Sequence, residues 1–366
     1  MPRVIGIDPG TISVDLCGLD DGRVFLDRSL ATAEALADPS PLLTLLEEAH
    51  REAPLDFVAG PSGYGLPLTA ARDLSEADLR LACLAPAGES GGIGGLASLM
   101  RTLARAPMPI FLTPGVIHLA SVPAHRKVNR VDMGTADKVC AVALAVREHA
   151  VRHRCGEQGV SCILLELGGA FSAAIAVDGG RIVDGVGGTS GPLGMQAAGA
   201  LDGEVAFLAG TVSKRLLFGG GAMTVAGTPD LSPEAPVFPD TPRGRLAWES
   251  YLESAVKAVA ALRVSAPDAH EVVLSGRMAG VSAVREELAR RIAAAVPDSS
   301  VHELIGFATV AKHAAQGAAL IADGLAGGSS AALVTLLGIR EASGTVLDHL
   351  HVISPAAARA RLKIAR

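Results

Sequence analysis

Two stretches of this chain repeat one pattern. "VIGID-PGT-ISVDLCGLDDGRVF" begins at Val4, and "ILLEL-GGA-FSAAIAVDGGRIV" begins at Ile163. Each runs strand, acid, small-residue turn, strand, Asp-Gly turn, strand. A weak internal repeat of a whole supersecondary unit says more than either copy alone, and it implies two related domains facing each other. The length of 366 residues suits two cores better than one. Written this way, the repeat puts Ser13 opposite Ser172, and each first strand carries one acid near its tip, Asp8 in the first copy and Glu166 at the matching place in the second.

Small residues at the two bends carry the chemical reading. The chain holds 42 glycines and only 3% aromatic residues, so it packs with Ala, Val and Leu and spends glycine on turns. A hairpin bend without bulky side chains turns backbone N–H groups into a concave nest, which suits phosphate oxygens. The first nest offers Gly10, Thr11 and Ser13, and the second Gly168, Gly169 and Ser172. Asp8, at the tip of the first strand, is placed to hold Mg²⁺ through water, with Glu166 completing the surroundings of the metal.

Elsewhere strands and helices alternate, the signature of an α/β fold. Helices are expected at 40–53, 136–153, 200–209, 245–263, 280–296 and 309–326, and strands at 55–60, 108–115 and 271–276. Thr135 is read as the cap of the long helix, with Asp137 in its first turn. The expected domains are 1–153 and 154–366, with the final segment free to return to the first. The glycine-rich stretch 86–95, which contains Ser90, reads as a mobile loop or a lid. The acceptor pocket is expected from loops 61–95 and 121–135.

A net charge of −6 argues against a surface that coats nucleic acid. No apolar run is long enough to span a bilayer. The five cysteines form no C-x-x-C pair, which speaks against a zinc site. A cytoplasmic protein with no membrane and no nucleic-acid partner is expected.

The two hairpins resemble the paired phosphate motifs of the acetate-and-sugar-kinase, heat-shock-protein and actin superfamily. "VVLSGRMAG" (272–280) resembles its adenosine motif. Within it, "LGGAFSAAIAVDGGRIVDGVGG", "KRLLFGGGAMTVAG" and "EVVLSGRMAG" look most like butyrate kinases, although Glu166 stands where carboxylate kinases commonly carry histidine. "GTADKVCAVALAV" (134–146) is similar to a helix start of the type III pantothenate kinases, with Lys138 in place of arginine. The resemblance implies two ribonuclease-H-like (actin-like ATPase) domains with ATP and Mg²⁺ in the cleft between them. It implies γ-phosphoryl transfer to a small-molecule carboxylate or hydroxyl, with Asp8 and Asp137 catalytic and Asp137 the general base. Arg126, Lys127 or Lys138 would neutralise phosphoryl charge. Gly219, Gly220, Gly276 and Arg277 would contact the nucleotide, the helices at 136–153 and 309–326 would connect the domains, and the protein would form a homodimer. Two other readings stand beside this one: a non-catalytic ATP-dependent switch, which shares every nucleotide residue, and a nuclease, which shares only the first strand and its aspartate, since "GIDPG" also resembles the first strand of Holliday-junction resolvases.

Overall fold

The computed structural model describes residues 2–85, 95–228 and 240–364. The glycine-rich stretch around Ser90 and most of the proline-rich stretch after Thr228 lie outside them. Two mixed sheets organise the rest. The first contains β1 (Arg3–Pro9), β2 (Ser13–Asp20), β3 (Arg23–Ala31), β4 (Phe57–Pro61), β5 (Thr69–Ala70) and β6 (Ile110–Thr113), in the order β3-β2-β1-β4-β6-β5. The second contains β7 (Cys162–Leu167), β8 (Ser172–Asp178), β9 (Arg181–Val186), β10 (Glu271–Ser275) and β11 (Ser300–Glu303), in the order β11-β10-β7-β8-β9. In both sheets an antiparallel three-stranded meander is extended by two parallel strands.

The duplication is true to the residue. Adding 158 to a number in the first meander gives its counterpart in the second: Asp8 and Glu166, Gly10 and Gly168, Gly22 and Gly180. Both meanders carry a register shift at the same place, Gly18/Leu19 and Ala176/Val177. Both close with two residues at positive φ, Asp21 (51°) and Gly22 (73°), Gly179 (56°) and Gly180 (71°). Two successive positive φ values give the type I′ hairpin, whose twist matches that of the flanking strands.

Two helices form a spine between the sheets, Ala136–His153 and His313–Leu325. Alternation along the strands divides each sheet between two cores. Val4 of β1, and Cys162 and Leu164 of β7, join one apolar cluster with the spine helices. Ile5 and Ile7 face the helices on the outer side of the first sheet, and Ile163 and Leu165 those on the outer side of the second. Strands buried on both faces read as continuous apolar runs, as β1 and β7 do. The spine is narrow because its residues are small: a Cβ on Gly6 would lie 2.2 Å from the Ala315 carbonyl oxygen, and one on Gly317 only 1.7 Å from that of Cys140.

Several boundaries differ from expectation. The helix expected from 245 begins at Pro242, because the Thr241 hydroxyl accepts the Gly244 N–H (3.0 Å) and proline fits the first turn. β11 was not anticipated; its sequence "SVHE" lacks an apolar run and is held by pairing with β10. The tail runs back along the first half of the chain: Ser343 N–H donates to the His118 carbonyl (3.0 Å), and Asn129 Oδ1 accepts from His351 (2.7 Å). Among the described residues no helix is long and apolar enough to cross a membrane.

Candidate active site

Both hairpin bends open into a single cavity of about 800 Å³. Each is closed by one equivalent hydrogen bond, Gly10 N–H to Ser13 O and Gly168 N–H to Phe171 O, both 2.9 Å. Thr32 braces the first bend, its N–H donating to Ile12 O (2.9 Å) and its hydroxyl to Gly10 O (2.7 Å). The N–H groups of Gln196 and Ala197 brace the second through Ala170 O, at 3.0 and 3.1 Å. Among the described residues, the N–H groups of Thr11, Ile12, Gly169 and Ala170 make no hydrogen bond, and all four residues line the cavity. Unpaired donors in a cavity bend are what an anion needs. The bends face each other closely: a Cβ on Gly169 would lie 2.9 Å from Ile12 Cδ1.

Between the bends lie four carboxylates and two lysines. Asp8 and Asp15 are direct partners across β1 and β2, so both point to one face. Asp15 accepts from the Ser13 hydroxyl (2.7 Å) and pairs with Lys312 (3.1 Å). Lys138 pairs with Asp137 (2.5 Å) and faces Glu166 (3.8 Å), which also accepts from the Ser275 hydroxyl. Asp8 alone of the four makes no hydrogen bond or ion pair among the described residues. Burial, then the charge of Asp137, pushes its carboxyl up to about 7, against Lys312 and Lys138. Burial also opposes ionisation of Asp137, but the charge of Lys138 together with the hydrogen bonds from Lys138 and the Thr135 hydroxyl outweighs it and holds that carboxyl below the usual range. The Lys138 ammonium gains more from Asp137 and Glu166 than it loses by burial, and so stays charged.

This donor set fits magnesium. Mg²⁺ takes hard oxygen ligands, uses one or two carboxylates and keeps most of its waters. Asp8 is the uncommitted carboxylate in the cavity, and Glu166 is the second nearby. The state of Asp8 also sets a stability expectation for the metal-stripped protein. Its folded-state pKa lies above the unfolded value of 3.8, so its contribution is full below about pH 4 and is lost as pH rises through 7. Asp8→Asn is therefore expected to be more stable than the parent at pH 8 by a few kcal/mol, and to differ little at pH 4. Chemical denaturation in chelator at both pH values checks this; equal stabilities at pH 8 would refute it.

Asp8, Asp137, Gly10, Thr11, Ser13, Glu166, Gly168, Gly169, Gly276 and Arg277 all line the cavity. Five other expected residues do not. Ser172 is fully buried, because the true register pairs Ser13 with Phe171 and Val14 with Ser172. A slip of one residue turns a side chain to the opposite face of a strand. Gly219 and Gly220 sit one layer back, where Gly219 O accepts the Ala198 N–H (2.9 Å) and so supports the segment that braces the second bend; Phe218 reaches the cavity instead. Arg126 and Lys127 also turn away, bonding the carbonyls of Val183 (2.8 Å) and Leu119 (2.9 Å). Thr135 heads its helix as expected, but its hydroxyl donates to Asp137 rather than capping the backbone. Ser13→Ala is accordingly expected to weaken nucleotide-analogue affinity several-fold and Ser172→Ala to leave it unchanged, as read by calorimetric titration; equal effects would contradict the register.

Residues that sequence reading missed complete the site. Lys312 lies beside the first bend, its Nζ 2.7 Å from where a Gly10 Cβ would stand. Its approach is fixed by Asp27, which accepts the N–H groups of Thr309 (2.9 Å), Val310 (3.0 Å) and Ala311 (2.6 Å). The cavity is also lined by the apolar faces of Tyr64, Leu96, Phe171 and Phe218 and by the polar Thr189 and Asp132. Asp132 is buried and accepts from the Thr189 N–H (2.8 Å) and hydroxyl (2.7 Å).

Two five- and six-stranded mixed sheets of shared topology, joined by spine helices over one cleft, define the two-domain actin-like ATPase fold. The propionate kinase of Francisella tularensis subsp. tularensis SCHU S4 superimposes with a TM-score of 0.62 at 12% identity, over 87% of this chain and 99% of that one. The acetate kinase of Porphyromonas gingivalis gives 0.61 at 14% identity, over 87% and 98%. That of Entamoeba histolytica gives 0.57 at 12%, over 79% and 86%. At these identities the likeness is one of fold. No curated protein matches the sequence. The chain belongs to the family described as protein of unknown function (DUF1464), whose profile matches residues 6–352.

Proposed function

We propose that this chain is an ATP-dependent phosphotransferase that moves a γ-phosphoryl group to a carboxylate or hydroxyl of a small organic acceptor. The observation that carries the reading is the pair of facing bends, Gly10–Ile12 and Gly168–Ala170, with their N–H groups unpaired in a shared cavity. The acetate and propionate kinases of the same fold support it, as does the butyrate-kinase resemblance of residues 160–290. The lobes divide as 1–153 and 154–366, with the tail returned to the first.

In this reading the two bends grip the phosphates from opposite sides, while Gly276 and Arg277 lie on the nucleoside side. Bound magnesium neutralises phosphate charge, and Asp8 with Glu166 would hold it. Lys312 and Lys138 supply fixed positive charge where the transferring group becomes more diffuse, which lowers the barrier without reorganisation. Asp137 accepts the acceptor's proton or orients its carboxylate. Tyr64, Leu96, Phe171 and Phe218 wall a compact, partly apolar acceptor, and closure of the lobes excludes water.

Calorimetric titration with a non-hydrolysable ATP analogue and Mg²⁺ should show one binding event, weakened about tenfold or more by Lys312→Ala. ADP release scored over short carboxylic acids and small hydroxy compounds then identifies the acceptor. Absence of nucleotide binding refutes the proposal. Binding without acceptor-dependent ADP release leaves only a nucleotide switch.

A further inference from the structure

At the far end of β10 from the cleft, four nitrogen-bearing side chains converge on one buried carboxylate. Glu271 receives His149 Nδ1 (3.1 Å), His153 Nε2 (2.9 Å) and the Arg152 guanidinium, and His302 Nε2 stands 3.8 Å away. His149 and His153 are one helical turn apart and share a face, with ring centroids 4.3 Å apart. His302 comes from β11, which is register-locked to β10 with Val273 opposite His302. The carboxylate carries a single charge, and Arg152 alone would neutralise it; ionic pairing leaves three imidazoles unexplained.

We propose that His149, His153 and Glu271 form a binding site for a divalent transition-metal ion, zinc by its donor chemistry, with His302 taking the fourth position. The donor atoms of the first three lie within 4.8 Å of one another, and among the described residues no other group of three or more such side chains is so placed. A tetrahedral zinc ion with ligands at about 2.0–2.2 Å needs donor separations of about 3.4 Å. The imidazoles of His153 and His302, 47% and 41% exposed, are free to close that gap. Imidazole and carboxylate together favour zinc, copper or nickel over magnesium and calcium. Arg152 bonds the same carboxylate and would orient it from the second layer. The absence of paired cysteines has no bearing on this donor set.

The location assigns the ion a role. Helix Ala136–His153 carries Asp137 and Lys138 at its start, about 18 Å from His149 at 1.5 Å per residue. The ion would fasten the other end of that helix to the second sheet, as a clamp and not a reaction centre.

The test uses the full-length protein, stripped by chelator and held in excess Mg²⁺ to saturate the carboxylates of the cleft. Zn²⁺ titration by calorimetry should show one equivalent bound and a rise of several degrees in melting temperature. Co²⁺ should give the visible absorption of a nitrogen- and oxygen-ligated ion. His153→Ala and His302→Ala, whose imidazoles are both part-exposed, should melt as the parent does in chelator. Each should bind Zn²⁺ at least tenfold more weakly. Cys155→Ser, two residues after His153 in the chain and exposed, should bind as the parent does. The proposal is overturned by absence of saturable uptake, by unchanged binding in His153→Ala, or by a cobalt–thiolate band that Cys155→Ser removes.

Discussion

Asp137→Asn is expected to abolish phosphoryl transfer while sparing nucleotide binding. The substitution keeps the shape of the side chain and its contact with the Thr135 hydroxyl, but an amide cannot take a proton or carry the charge that pairs Lys138. Loss of a positioned acid–base group costs about 10²–10⁴ in rate. Binding should survive, because neither bend is touched and removal of the Asp137 charge lifts one of the influences that raise the pKa of Asp8. Single-turnover γ-phosphoryl transfer, or basal ATP hydrolysis if no acceptor is in hand, measures the first effect, and analogue titration the second. Retention of activity within a few-fold would reduce Asp137 to a first-turn acid that complements the helix dipole. Joint loss of activity and binding would make it structural.

A second large effect is expected at Gly317, far from any chemistry. Its missing Cβ is the reason the spine helices can cross so closely: any side chain there would meet the Cys140 backbone at 1.7 Å, and backbone does not swing aside. Alanine favours a helix over glycine by about 1 kcal/mol, yet the helices would have to part and leave gaps throughout the shared core. Gly317→Ala is expected to cost about 3 kcal/mol or more, and Gly317→Val to prevent folding. Gly203→Ala is the control, since no atom lies within 4 Å of its added Cβ. Denaturant midpoints measure the difference. A Gly317→Ala protein within about 0.5 kcal/mol of the parent, the range of ordinary surface changes, would show that the crossing is loose.

What could be read in the sequence was local. Alternation of side chains, an Asp-Gly pair before each third strand, and glycine at each bend are properties of neighbouring residues, and they located both hairpins, Asp8 and Glu166. The register between the copies was not legible, since aligning "ISV" with "FSA" matches letters while the bends are equivalent one residue earlier; this misplaced Ser172. Asp15 could have been noticed as an acid at an inward position of a buried strand. Lys312 could not, because it meets the first bend only after the second spine helix packs on β1, nearly three hundred residues along the chain. Asp132 and Thr189 depend on the same kind of distant closure, as do His149, Glu271 and His302.

The spine also decides how the molecule comes apart. One apolar cluster takes side chains from β1, β7, both spine helices and the tail as far as Ile364, so neither sheet has a sealed interior without the other half. Severing the chain after His153 would give two sticky fragments rather than two small soluble proteins. Scanning calorimetry of the intact chain should accordingly record one endotherm, because the wall between the lobes is common property and cannot melt on one side alone.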